Sequence, residues 1–502
     1  MRKKYSFLNS AVSFGFLLLN SLLGFISMKI YINSFSSELN GLLSSINNIV
    51  TYCNIVEAGL SSAIIYMYYK PLAKGDTVAV ANLFRGSKKI LNKISLALAI
   101  LILVATFSFP LIIKNNPFNY LFVISLFFLI GFSTVLENFF ITPFALLLNA
   151  DQKNYVFAIV SNSGKILLRL AGVIYLYYGG NILFFLTYNY VALAIIYIVL
   201  SRLKKRNYTF LERSTIADQS AIKMTKDVIV HKIATVVTYN TDTIILAVFL
   251  SLKDASVYTV YNALYCVLLK NALGAIYNAI VPSLGNLFID APEKSYRIIS
   301  VFETFVFLTA TVGFASFYYL LNPVINLIAN NSYIDHTLSM LFLLMCYIDI
   351  LRTPALNITA ASGLFRETKV APFLEIGLNL SLSLILVNFL GIYGVLLATI
   401  ITYTVYLLVY YPIVYNQKRF PLRRVYMKMV LHLLLVFAFL WSDLSIDFNA
   451  DIFTFAGKGI LGVCFFTSVC FLSNWVFFND DCRGIFHFAL AFTRKNDKEI
   501  CV

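Results

Sequence analysis

Residues 366–419 read RETKVAPFLEIGLNLSLSLILVNFLGIYGVLLATIITYTVYLLVYYPIVYNQKR. Two apolar runs, 370–389 and 391–413, each have the ~20 residues that cross a hydrocarbon core, and only a short Gly-rich turn parts them. Arg366 and Lys369 precede the pair and Lys418 and Arg419 follow it. The stretch therefore reads as a hairpin of two spanning helices, with its tight turn on one side of a bilayer and its cations on the other.

The same pattern fills the chain. Spans are expected near 8–33, 42–69, 90–111, 119–148, 155–177, 180–200, 227–250, 256–288, 298–320, 337–361, 370–389, 391–413, 426–444 and 459–479. Composition agrees: 60% of the 502 residues are hydrophobic and 13% charged, with mean hydropathy +0.80. Soluble domains carry about one quarter charged residues, so a soluble enzyme is excluded. A net charge of +15 does not indicate a nucleic-acid partner, because the cations sit at membrane boundaries and form no soluble basic face. The seven Cys residues lack metal-ligand spacing and suit apolar packing. Arg2, Lys3 and Lys4 precede an apolar run without a small-residue cleavage pattern, so the first segment reads as a retained span.

With the N-terminus cytoplasmic, thirty of the 39 Lys and Arg residues fall in every second connection, Lys428 among them, and only Lys114, Lys253 and Lys458 in the others. This asymmetry places both termini inside and supports an even count of fourteen, since omitting one helix would put later basic loops on the wrong side. The longest basic connection, Ser201–Lys226, follows six helices. The expected architecture is an all-α polytopic membrane protein of fourteen transmembrane helices: a six-helix bundle at 1–205, a second at 206–415, and two additional helices with a cytoplasmic tail at 416–502. The outer turns NSFSSELNGLLSSINNIV and SLKDASVYTVYNALYCVL open the two halves similarly, which suggests a repeat about an axis normal to the bilayer.

Ionisable groups inside the membrane are costly and mark function or internal pairing. Lys165 and Arg169 in SNSGKILLRLAGV share one helix face near the middle of the fifth span. Two cations there demand an anion. It is either a carboxylate of the protein (Glu57, Glu137, Asp242 or Asp349) or a phosphate or pyrophosphate, which Arg grips bidentately and Lys meets as a point charge. Lys270 lies near the middle of the eighth span, and Lys29 nearer the outer end of the first, where its stem also reaches the headgroups. Lys232 suits interfacial snorkelling. Glu57 and Asp242 have small polar neighbours and are candidates for a coupling ion, or else fixed partners of Lys29 or Lys270; Glu137 follows with weaker context. Asp349 and Arg352, three residues apart, are expected to neutralise one another.

Pro143, Pro282 and Pro354 are expected to interrupt helices. Tyr239, Tyr261 and Tyr277 are candidate platforms for sugar rings. His231, His336, His432 and His487 form no metal set and read as interface residues. The chain holds no phosphate-binding glycine loop, nucleotide-hydrolysis motif or nucleophilic triad, and no catalytic residue or cofactor is expected.

Fourteen spans in a six-plus-six-plus-two arrangement, the segments NSAVSFGFLLLNSLLGFISMKIYINSFSSELNGLLSSI and NIVEAGLSSAIIYMYYKPLAKGD, and the later YNAIVPSLGNLF and ITAASGLFRETKVAPFLEIGLNLSLSLILVNFLGIYGVLLATIITY together resemble the polysaccharide-transport branch of the multidrug/oligosaccharidyl-lipid/polysaccharide exporter superfamily (a MATE/MOP-like fold), particularly bacterial O-antigen or capsular repeat-unit flippases. The resemblance extends over essentially the whole chain. It implies a bacterial inner-membrane flippase that moves an undecaprenyl-pyrophosphate-linked glycan from the cytoplasmic to the external leaflet by alternating access, alongside a polysaccharide polymerase and assembly proteins. Lys29, Lys165, Arg169 and Lys270 would then meet substrate, and Glu57 and Asp242 would couple transport to a proton or sodium gradient. A peptidoglycan-precursor flippase predicts a similar cationic cavity, whereas a drug or cation antiporter of the same superfamily predicts an acidic one.

Overall fold

The computed structural model describes residues 2–212, 240–265, 270–278, 280–329, 331–441 and 452–493, so Lys232, His231 and Tyr239 lie outside the described residues. All regular structure among the described residues is helical. The chain forms two compact units, Met1–Thr259 and Val260–Val502. The fourteen expected spans fall on helix wherever they are described, apart from short breaks, and the all-α polytopic class holds.

Unit 1 begins with α1 (Arg2–Ile30), which runs into a π-helical turn at Tyr31–Phe35. There follow α2 (Ser37–Cys53), α3 (Ile55–Lys74), α4 (Thr77–Ile112), α5 (Tyr120–Phe140), α6 (Thr142–Ala150), α7 (Asn154–Tyr177), α8 (Ile182–Leu186), α9 (Tyr188–Asn207) and α10 (Asn240–Phe249). The division between the units runs through α11 (Leu252–Leu264). Polar side chains cap some helix starts: Ser36 accepts from the Leu39 amide at 3.1 Å and Asp76 from the Ala79 amide at 2.9 Å. The span read at 42–69 is two helices meeting at Asn54, and that read at 119–148 breaks at Ile141. Pro143 causes the second break: with no amide hydrogen it cannot continue a helix, and it sits instead in the first turn of α6. Within the unit α1 packs on α7, α4 on α5 and α7 on α9.

Unit 2 contains α12 (Asn271–Asn278), α13 (Val281–Asp290), α14 (Pro292–Ile328), α15 (His336–Leu351), α16 (Thr353–Ser362), α17 (Val370–Lys418), α18 (Leu422–Trp441), α19 (Ile452–Phe477) and α20 (Asn479–Thr493). Pro282 and Pro354 stand in the first turns of α13 and α16, where the expected interruptions fall. The 49 residues of α17 are the hairpin read from the sequence. Gly391 leaves the helix at φ 57° and ψ −133°, and the Asn379 amide donates to Thr399 Oγ1 at 3.0 Å. Twenty residues of straight helix would hold those two groups about 30 Å apart, so the limbs run antiparallel. At the tip, Tyr393 donates to Asp335, the residue that caps α15, at 2.5 Å. One element went unanticipated: α20 leaves the end of α19 at 117°, in what read as a cytoplasmic tail.

Close helix crossings depend on particular glycines. A Cβ at Gly41 in α2 would lie 1.8 Å from the Leu252 carbonyl oxygen, a backbone atom that cannot swing aside, and Asn40 beside it donates to Ser256 at 2.8 Å. Gly377 in α17 has nothing within 4 Å of its Cβ position. Gly41→Ala is therefore expected to destabilise by about 1–3 kcal/mol through overpacking. Gly377→Ala gains up to about 1 kcal/mol from helix propensity. Thermal unfolding midpoints of the detergent-solubilised variants should move in opposite directions.

Candidate polar sites within the two units

In unit 1 a polar seam joins α3, α5 and α7. Lys165 pairs with Glu137 at 2.7 Å, each side chain about one third exposed. Glu57 accepts a short hydrogen bond from Ser61 and a longer one, 3.5 Å, from Asn54, and it lies within electrostatic range of Glu137. Asn138 donates to Asn54 at 2.6 Å and closes the seam. Of the carboxylates weighed for Lys165, the structure selects Glu137. Arg169, one turn further along α7, takes no share in that pair. Its Nε is buried without a hydrogen-bond acceptor among the described residues, and Tyr31 and Tyr188 lie within electrostatic range of it.

The other two unit 1 candidates sit apart from this seam. Lys29 is exposed near the end of α1. Asp242 in α10 is buried and accepts from the Tyr258 hydroxyl at 2.6 Å; its neighbour Thr241 bonds Tyr52.

In unit 2 the pair expected of Asp349 and Arg352 is present at 3.4 Å, but it belongs to a larger cluster. Lys270, just before α12, meets Asp349 at 2.9 Å, and Tyr265 donates to the same carboxylate at 2.7 Å. Arg352 reaches Glu375 on α17 at 2.8 Å and lies between the Tyr403 and Tyr406 rings, 4.4 and 4.1 Å from their centroids. Two cations and two carboxylates thus balance. Lys270, 31% exposed, is the member that reaches open surface, while Asp349 is 4% exposed.

A second charged cluster corrects the sequence reading. Lys428, counted there among cytoplasmic loop cations, is fully buried. Its ammonium meets Glu303 and Asp481, each at 3.0 Å, and donates to the Ser300 carbonyl at 2.7 Å and hydroxyl at 2.8 Å. Tyr415 donates to Glu303, and Arg424 meets Asp481 at 3.2 Å. One helical turn on, His432 lies buried between Thr311 at 2.9 Å and Asn474 at 3.2 Å, not at an interface. Tyr261 and Tyr277 are likewise core residues whose hydroxyls bond within the protein, so neither offers a ring face to sugar.

Ranking acids by depth in a span would have found Glu303 and Glu375, since ISVFETFVF and APFLEIGLN each set one acid in an apolar run. Nothing local marks Asp481 or Lys428, because their burial follows from the turn into α20. Removing Lys428 takes the paired cation from the fully buried Glu303 and leaves Asp481 to Arg424. Lys428→Met is expected to cost about 3–5 kcal/mol, and the triple replacement Lys428→Met, Glu303→Leu, Asp481→Leu to recover most of it. Thermal unfolding in detergent would show both, with Lys165→Met affecting stability far less because its pair is partly solvated.

No family profile matches the chain, and no curated protein matches it. Solved structures do. A structure of the lipid II flippase MurJ in an inward closed conformation aligns with TM-score 0.65 at 15% identity, covering 93% of this chain and 99% of that one. An inward-facing multidrug resistance MATE family transporter of the MOP superfamily aligns with TM-score 0.61 at 12% identity, covering 84% and 99%. The Vibrio cholerae MATE transporter VcmN, in its bent form, aligns with TM-score 0.53 at 14% identity, covering 83% and 98%. The fold is that of the MurJ and MATE proteins, a multi-pass membrane architecture.

Proposed function

We propose that this protein is a flippase which moves undecaprenyl-pyrophosphate-linked oligosaccharide repeat units from the cytoplasmic to the external leaflet of a bacterial inner membrane by alternating access. The observation that carries the reading is one cation inside unit 1. Arg169 lies within a spanning helix with no carboxylate partner among the described residues and an Nε that lacks an acceptor. A charge so placed calls for an anion that the described residues do not supply. Lys165 and Lys270 are held by Glu137 and Asp349 but keep a partly exposed edge, so each can turn to a substrate anion. Asp349 would then retain Arg352 and Tyr265 as partners, which favours Lys270 as an exchangeable contact. Lys29 supplies a further cation near the outer end of α1.

A peptidoglycan-precursor lipid is the second reading, favoured by the near full-length structural likeness to a lipid II flippase. For energy coupling we assign Asp242 and Glu57, buried or half-buried carboxylates held by hydroxyl donors and open to neutralisation by a proton or sodium ion.

Leaflet-to-leaflet movement of a defined undecaprenyl-pyrophosphate oligosaccharide in proteoliposomes tests the reading. Wild type should move it, and Lys165→Gln with Arg169→Gln should reduce the rate at least about tenfold at equal protein abundance, a loss of about 1.4 kcal/mol. Faster movement of a peptidoglycan precursor by the same protein selects the second reading. In the same assay Asp242→Asn should weaken dependence on an imposed gradient; unchanged dependence removes Asp242 from coupling.

A further inference from the structure

The charges around Lys270 balance only while Lys270 stays among them. It meets Asp349 at 2.9 Å, and Arg352 stands 3.4 Å from Asp349 and 2.8 Å from Glu375. The side chains of Asp349, Arg352 and Glu375 are at most 6% exposed, and that of Lys270 is 31% exposed. Of these four groups, only the lysine reaches open surface, and the flippase reading turns that same lysine toward a substrate anion. Its departure leaves one guanidinium for two carboxylates in a buried site. An uncompensated carboxylate there is costly.

The two carboxylates are not equivalent once the lysine has gone. Asp349 keeps the Tyr265 hydroxyl, which donates to it at 2.7 Å, and its approach to Arg352. Glu375, on the first limb of α17, is hydrogen-bonded by Arg352 alone among the described residues. Tyr403 and Tyr406, from the second limb, hold the guanidinium by their ring faces and do not tie it to either carboxylate. Lys270, Asp349 and Tyr406 also lie within electrostatic range of Glu375. We propose, resting on the flippase reading, that Glu375 takes up one proton from water when Lys270 leaves Asp349 for the substrate's pyrophosphate, with Arg352 then serving Asp349. The O–H bond formed on Glu375 replaces the charge that the lysine carried away, so the buried groups sum to zero before and after loading. Glu375 never touches substrate; it makes the release of Lys270 depend on pH. Because Glu375 is ionised in the unloaded protein and protonated in the loaded one, loading is favoured as pH falls. Within the window where those two states differ, affinity should rise about tenfold per pH unit.

The test uses the full chain in nanodiscs and undecaprenyl pyrophosphate bearing one hexose, a diphosphate diester whose own charge is constant near neutral pH. Calorimetric titration in two buffers of different ionisation enthalpy counts the protons bound with the lipid. Wild type should take up about one per lipid and Glu375→Gln about none. Glu375→Gln, which keeps an oxygen for Arg352, should also lose the pH slope and bind more tightly than wild type at the alkaline end, a gain that a folding defect does not produce. Lys270→Met reaches the same protonated state without any lipid. Its infrared spectrum should carry the C=O stretch of a protonated carboxyl group, and Lys270→Met combined with Glu375→Gln should lack it. Wild-type binding without proton uptake would overturn the proposal and leave the flippase reading standing. Uptake that survives Glu375→Gln would place the proton on another group and overturn it too. Absence of the carboxyl band in Lys270→Met would do so whether or not lipid binds. Failure of wild type to bind the lipid, with that band present, would overturn the proposal through the flippase reading and not through Glu375.

Discussion

A charge in hydrocarbon must have a counter-charge or water, and this constraint organises both units. In unit 2 it produces two neutral clusters. Lys428 gathers Glu303 from α14 and Asp481 from α20, and Arg352 spans Asp349 at the end of α15 and Glu375 on α17. Each cluster joins helices distant in sequence at one register, because a shift of one turn would strand a buried ion. Hydrophobic contact alone tolerates such shifts, since one apolar helix face in a membrane resembles another.

Set against these filled clusters, Arg169 is the exception. Unit 1 offers Glu137 one turn away, yet that carboxylate is taken by Lys165. Tyr31 and Tyr188 lie within electrostatic range of Arg169. Lys428 is a fixed part of the scaffold, and the proposed flippase function rests on Arg169 having no carboxylate partner among the described residues.

Much of the fold was legible before any coordinate. The hairpin at 370–413 followed from two apolar runs, a Gly-rich turn and flanking cations, and the structure returns it through the 3.0 Å bond from Asn379 to Thr399. Proline marked the starts of α6, α13 and α16, because a missing amide hydrogen acts locally. The candidate site was legible in part. Lys165, Arg169 and Lys270 were visible as intramembrane cations, and the pairing of Asp349 with Arg352 followed from helical spacing. Glu375 and Glu303 carried the same signal. Lys428 misled, because a lysine seven residues into a helix that follows a basic loop looks solvated until α20 folds back over it.

Sequence by itself therefore determined the class of the molecule: apolar runs of membrane-spanning length, their alternation with cations, and the turns between them are properties of adjacent residues governed by transfer from water. Only tertiary structure decided which buried ions are partners. Glu137 rather than Glu57 takes Lys165, Asp349 takes Lys270, and Arg169 has no carboxylate partner among the described residues. Coulomb and hydrogen-bond energies are spent within a few ångströms, and which groups stand that close is set by helix crossings, such as Gly41 against Leu252, that join residues far apart in the chain.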